Sequence, residues 1–333
     1  MLAWNVDGIV SKFDDPDFVQ YLQDFSFLCL NETFVEYLDI SDRFHDFVIH
    51  ILPAKKLSSR GRRSGGIICL VHKDIDKYFV RLDCMHDFIV FKVDKALLGT
   101  SRDILLFNVY VPPVGSPYYE ITDESNGIVN LENCISDMIA THGDAEIILC
   151  GDFNARTGNN CTITDVNLND MLTDITEELR RSDDNIVNGF GQSLLSLCLA
   201  LELTILNGFI DKDNSERFTY VSPNGSSVID YIIVSADIVP YCRSLLVREN
   251  VLSPHMSLEL VLDCTNVCQW RNKSCCSPTQ TKIVWDSRSS ENFVGSLREG
   301  LSQANVSELL DDGDFNVNTV RGFRMQWRMR RSS

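Results

Sequence analysis

Asp152 and Asn154 stand two residues apart in Cys150-Gly151-Asp152-Phe153-Asn154-Ala155-Arg156, just past the apolar run 147–149. At the end of a buried strand such a pair projects into one cleft. The carboxylate can orient or deprotonate an attacking water there, and the carboxamide can donate to a phosphate oxygen. The plain alternative is an Asx-rich turn. Glu32, in Leu30-Asn31-Glu32-Thr33, closes another apolar run. It is either a solvated carboxylate or a hard-oxygen ligand of the kind Mg²⁺ takes while keeping several waters. Asn5 and Asp7, in Trp4-Asn5-Val6-Asp7-Gly8, share one face if the chain is extended, or else belong to a turn before Gly8. Asp230 lies inside the apolar stretch 228–234, where a charge is costly unless paired. Its natural partner is His255 of Ser253-Pro254-His255. A carboxylate fixes the imidazole tautomer and stabilises the imidazolium; a lone histidine is otherwise structural.

The elements that must hold these groups read as mixed α/β. Short β-rich runs at 27–30, 47–52, 66–71, 88–93, 104–111, 147–150, 204–206, 217–221 and 228–234 are punctuated by Gly, Pro, Asn and Ser. Helices are expected at 16–23, 130–141 and 191–201, the last running into a strand past Glu202. That is too many strands for a simple doubly wound sheet. The fold class expected is α/β, with two packed mixed β-sheets flanked by helices in a four-layer α/β sandwich. Apolar density falls after about Asp263, so the main domain is read as 1–263, a linker as 264–289 and a weakly helical, arginine-rich tail as 290–333.

Taken together and in this order, the motifs resemble the endonuclease/exonuclease/phosphatase superfamily. Within it they are most similar to the apurinic/apyrimidinic-like endonuclease domain of non-LTR retrotransposons. The likeness runs from Trp4 to about Leu262. It is carried also by Asn108-Val109-Tyr110-Val111-Pro112-Pro113, by Asn188-Gly189, by Leu206-Asn207-Gly208 and by Phe218-Thr219-Tyr220. The resemblance implies a Mg²⁺-dependent phosphodiesterase, with Mn²⁺ as an alternative, acting as a DNA endonuclease that nicks target DNA in retrotransposition. It implies that Glu32, Asn5 and Asp7 surround the metal. Asp152 positions or deprotonates the water, and Asn154 and Tyr110 donate to the phosphate. His255, oriented by Asp230, stabilises the transition state, while Asn108 and Ser227 support the shell. The family pattern has Asp-His where this chain has Pro254-His255, and a lost supporting carboxylate costs on the order of 10–100-fold in metal affinity or activity. The chain also starts only three residues before Trp4, so a central strand is expected to be short. The segment Lys282-Ile283-Val284-Trp285 is similar to one leading towards a reverse transcriptase domain in a parent element.

Composition bounds the alternatives. The 333 residues are 44% hydrophobic and 23% charged, enough to bury a large core. A formal charge of −17 argues against indiscriminate nucleic-acid binding, but leaves room for local contact through Lys55, Lys56, Arg60, Arg62 and Arg63, or through Arg321 to Arg331. No apolar run is long enough to span a membrane, and no signal peptide is recognisable. Most of the twelve cysteines sit singly in apolar runs, as reduced core thiols do. The expectation is a monomeric, intracellular protein of nucleus or cytoplasm whose partner is DNA. The competing readings are a catalytically impaired descendant serving as a binding module, and a phosphatase of the same fold. A zinc site at Cys264, Cys268, Cys275 and Cys276 is disfavoured because the spacing lacks paired Cys-x₂-Cys units.

Overall fold

The computed structural model describes residues 1–57, 61–84, 87–122, 126–160 and 180–264. The chain divides into two compact units, Met1–Cys268 and Gln269–Ser333. The linker and tail expected beyond Cys264, with Cys268, Cys275 and Cys276, lie outside the described residues.

Two six-stranded mixed sheets form the first unit. Sheet one has the order β13 (Cys242–Arg248), β14 (Ser257–Leu262), β1 (Leu2–Asn5), β2 (Phe27–Asn31), β4 (Ile67–His72) and β3 (Phe47–Leu52). Sheet two runs β5 (Phe79–Leu82), β6 (Ile89–Val93), β7 (Ile104–Tyr110), β8 (Glu146–Asp152), β12 (Asp230–Ser235) and β9 (Leu203–Ile205). A hairpin, β10 (Tyr220–Ser222) and β11 (Gly225–Ser227), stands apart. The helices are α1 (Pro16–Gln23), α2 (Lys73–Asp76), α3 (Pro117–Thr122), α4 (Gly127–His142), α5 (Gly189–Ala200) and α6 (Lys212–Ser215).

Each sheet has one parallel pair near its middle, β1 with β2 and β7 with β8; every other neighbouring pair is antiparallel. Alternate side chains decide the layering. Ala3, Cys29, Cys69, Phe91, Leu106, Cys150, Ile232 and Leu258 meet between the sheets. The opposite faces pack outward: Leu2, Trp4, Leu28 and Leu30 against Phe18 and Leu22 of α1, and Leu105, Phe107, Leu149 and Ile233 against α4 and α5. The four-layer sandwich expected from the strand count is therefore the fold observed.

The apolar runs expected as strands are strands, with shifted ends. The run 217–221 becomes a strand only from Tyr220, and Thr219 just before it bonds the Ser227 carbonyl of the partner strand. Five strands escaped the pattern: β1, β5, β11, β13 and β14. β1 is short, with four residues, yet wholly buried. β14 is interrupted by Glu259, a residue that looks wrong for a strand until its partners are seen. Its carboxylate accepts from the Tyr21 hydroxyl at 2.7 Å and from Arg248.

Candidate active site

The register brings the chemistry to one edge. Asn5 pairs with Asn31 at the end of β1 and β2, Tyr110 pairs with Asp152 at the end of β7 and β8, and Asp230 opens β12 directly opposite Asp152. Side chains from both sheets thus converge beyond the carboxyl ends of the two parallel pairs. That is where open α/β sheets bind their ligands.

Just past three of those strand ends the backbone turns left-handed: Asp7 (φ 44°), Glu32 (φ 50°) and Asn154 (φ 48°). They are half of the six non-glycine residues with positive φ among the described residues. Such conformations cost about 1–3 kcal/mol each and persist where surroundings over-determine them. Here Glu32 and Asn154 turn their side chains to the Tyr110 hydroxyl and the Val111 carbonyl, and the Asp7 carboxylate meets Arg62. The Asp7 turn is held by Lys12, whose buried ammonium donates to the carbonyls of Val6, Asp7 and Gly8.

Asp152 is the centre, and it is 1% exposed. One oxygen accepts from the Asn154 backbone amide at 2.9 Å, and the other from Asn5 Nδ2 at 2.9 Å. Asn5 is itself fixed, because its Oδ1 accepts from the Asp7 amide at 3.1 Å. The Asn154 side-chain amide donates to the Val111 carbonyl at 2.8 Å and, over a longer 3.4 Å, to Asp152 Oδ2. Across the cleft, His255 Nδ1 lies 3.0 Å from both oxygens of Asp230. That turns Nε2 toward Asp152, at 4.0 Å, beyond direct bonding. The Tyr110 hydroxyl donates to Glu32. Asn5, Glu32, Tyr110, Asp152, Asn154, Asp230 and His255 therefore adjoin one another, whereas Asp7 reaches Asn5 through its backbone amide and turns its carboxylate to Arg62.

The electrostatics follow from burial. Desolvation, reinforced by Asp230, pushes the Asp152 carboxyl up to about 8. Burial opposes the His255 imidazolium, but the Asp230 carboxylate outweighs it and raises the group to about 9. Burial and then Glu32 hold the Tyr110 hydroxyl well above its ordinary value. Glu32, Asn5 and Asp7 supply only oxygen donors, as a hard divalent cation requires. A cation beside them would oppose the burial and the neighbouring carboxylates that keep Asp152 protonated. The residues fit such an ion.

Several groups that hold the site were not singled out from the sequence. Thr219 Oγ1 accepts from the amides of Ile229 and Asp230, both at 3.0 Å, and so sets the start of β12. Ser253 Oγ donates to the Asn5 carbonyl at 2.8 Å and accepts from the His255 amide at 3.1 Å. Arg156 grips Asp184 with two bonds, 2.7 and 2.6 Å, and Asp184 accepts from the Val228 amide at 3.0 Å, just before Asp230. Asn188 caps α5 through the Gly191 amide and accepts from the Arg156 amide. The Asn-Gly step before an apolar helix was a readable signal for that cap. Asn108, by contrast, points into the inter-sheet core, 3.2 Å from Cys69 Sγ.

Pro254 does not displace the histidine. Its carbonyl accepts from the Val221 amide at 2.9 Å, the His255 carbonyl accepts from Trp4 Nε1 at 2.9 Å, and the Tyr220 ring stands edge-on to the imidazole at 4.8 Å. Of the expected basic loop, Arg60 lies outside the described residues; Arg62 pairs with Asp7 at 3.3 Å, Lys55 with Asp87, and Arg63 with Glu36.

A two-sheet sandwich with a buried Asp–His pair facing a carboxylate, amide and hydroxyl cluster is a nuclease and phosphatase architecture. The chain belongs to the Endonuclease/Exonuclease/phosphatase family, which it matches over residues 2–255. Its fold is similar to that of the 3'-5' exonuclease NExo from Neisseria meningitidis, at 14% identity and a TM-score of 0.52, covering 79% of this chain and 98% of that one. It is similar also to an AP endonuclease from Archaeoglobus fulgidus, at 15% identity and a TM-score of 0.50 with the same coverage. The AP endonuclease LMAP from Leishmania major aligns at 13% identity and 0.52, over 78% of this chain and 86% of that one. No curated protein matches the sequence. Among the described residues, no helix is long and apolar enough to cross a membrane.

Proposed function

We propose that the protein is a divalent-metal-dependent DNA endonuclease, of the kind that nicks target DNA for a retrotransposon. The observation that carries this reading is the buried Asp152, held by Asn5 and Asn154 and faced across 4.0 Å by an Asp230-oriented His255. Related folds support the substrate class, since NExo from Neisseria has been solved with a product DNA hairpin.

In this mechanism Asp152 orients the attacking water and takes its proton as the new oxygen–phosphorus bond forms, while the bond from phosphorus to the leaving ester oxygen breaks and that oxygen takes a proton from bulk water. His255, kept protonated by Asp230, donates to the phosphate as negative charge builds on it. The Tyr110 hydroxyl and the Asn154 side-chain amide are placed to donate to the same group. Glu32, with Asn5 and Asp7, would hold Mg²⁺, or Mn²⁺ in its place, which when bound acts as a Lewis acid on the phosphate. Arg62, exposed at the rim and paired with Asp7, is available to the strand as it enters.

The test is nicking of supercoiled plasmid by the full chain in Mg²⁺, with an EDTA control. Glu32→Gln and Asp152→Asn are each expected to abolish nicking while leaving the chain folded by circular dichroism. Activity that survives both substitutions removes the site assignment. A folded wild-type chain that never nicks favours the binding-module reading, which Pro254 specifically supports.

A further inference from the structure

A second depression opens beside the active site and shares Tyr110 with it. It is a cleft of about 530 Å³ open to solvent, running from Gly65 and Tyr110 to Asn130 of α4. Gly65, at φ +67°, lies against the Tyr110 ring where the two depressions adjoin.

The lining is chemically specific. Leu52, Ile67, Phe88 and Pro112 give an apolar floor. Lys55 and Asp87 form an ion pair on the rim, and the Tyr118 hydroxyl also donates to Asp87. The Lys55 ammonium lies 5.1 Å from the Tyr118 ring centroid, so the aromatic wall and the rim are one assembly. Because the lysine is neutralised, the cleft offers a phosphate no net attraction. It offers a flat, uncharged ring apolar contact and aromatic edges, with the Tyr118 hydroxyl and the Asn130 amide at its margin to read polar edges of the ring. A nucleobase has that chemistry.

We propose that this cleft receives a nucleobase of the strand being cut, neighbouring the scissile phosphate held at Tyr110. The proposal rests on the phosphodiesterase reading above, and it assigns Tyr118 and Asn130 as specificity-determining residues. The base anchors the strand so that its phosphate is presented to Asp152.

The test uses the full chain and short duplexes in which one base, 5' or 3' of the cut, is replaced by a base-less tetrahydrofuran residue. With wild type, removing the base on one side is expected to raise KM roughly tenfold, the order of one base–aromatic contact, with kcat little changed. Tyr118→Ala is expected to show the same rise on the intact duplex and no further rise on the base-less one. Equal KM for intact and base-less duplexes overturns the proposal, as does a Tyr118→Ala effect that simply multiplies with base removal. If Tyr118→Ala fails to fold, Asn130→Ala, on the same wall, carries the identical comparison. If wild type cuts nothing, the phosphodiesterase reading fails by itself. The cleft is then judged by fluorescence anisotropy of the same duplexes in Ca²⁺, where equal affinity with and without the base overturns it.

Discussion

Asp152 and Asp230 face one another across β8 and β12, a placement that destabilises a sheet when both are ionised. The protein answers by retaining protons. Asp152 ionises near 8 in the fold against 3.8 for the free group, and His255 near 9 against 6.5. Between each pair of values the folded state binds a proton that the unfolded chain has released, so stability falls with rising pH. The contribution of His255 is complete below about 6.5 and lost as pH rises through about 9. In EDTA the melting temperature is therefore expected to drop steadily from pH 5 to pH 9, and Asp152→Asn is expected to flatten the lower part of that slope. A flat profile for wild type would mean that the cluster is not protonated as described. Pro254 belongs to the same scale. Pro254→Asp places a carboxylate next to a histidine that is already correctly held, and is expected to raise nicking by up to about tenfold. An unchanged or lower plasmid-nicking rate would show that this position is not limiting.

The elements contribute strand ends that stop at the right residue. β1, β2, β7 and β8 all finish at the cleft, and left-handed residues follow three of them. Gly151 shows how close the strands are required to come. At φ +131° a Cβ would sit 2.1 Å from the Val109 carbonyl oxygen and 3.1 Å from Asn31 Oδ1. Gly151→Ala is expected to destabilise the fold by about 2–4 kcal/mol, from strain plus displacement of β8. Urea denaturation measures this, and a loss below about 0.5 kcal/mol would show that β7 and β8 have slack at the site. Thr219, with its two accepted bonds, and the Arg156–Asp184 pair act likewise on β12, fixing Asp230 through backbone rather than side-chain contact.

At the scale of the molecule, the two sheets are tied together at the cleft by polar bonds between side chains and backbone. Asn5 of sheet one reaches Asp152 of sheet two, Asn31 reaches the Val109 carbonyl at 3.0 Å, and Tyr110 of sheet two reaches Glu32. An ion held by Glu32, Asn5 and Asp7 would lie on that seam and favour the assembled sandwich over the unfolded chain. Mg²⁺ is therefore expected to raise the melting temperature, by the equivalent of about 2.7 kcal/mol at a hundred times its dissociation constant. Glu32→Gln is expected to remove the effect. A melting temperature indifferent to Mg²⁺ and EDTA would sink the metal assignment.

The sequence by itself determined the residue set and the layering. Gly151-Asp152-Phe153-Asn154, Glu32, and Asp230 within an apolar strand are anomalous for their local context, and anomalies of that kind are legible without coordinates. The continuous apolar runs of β2, β7 and β8 marked strands buried on both faces, as a layered sandwich requires. Only the tertiary structure decided which strands adjoin, and hence that β14 is a strand at all, since Glu259 is tolerated through Tyr21 and Arg248 from distant segments. It alone decided that Asn5 spends its amide on Asp152, that Asn108 turns into the core, and that Thr219, Ser253 and Asp184 hold the site. Those assignments depend on which side of a strand faces a neighbour up to 248 residues away in sequence. Local pattern carries no information about such a partner.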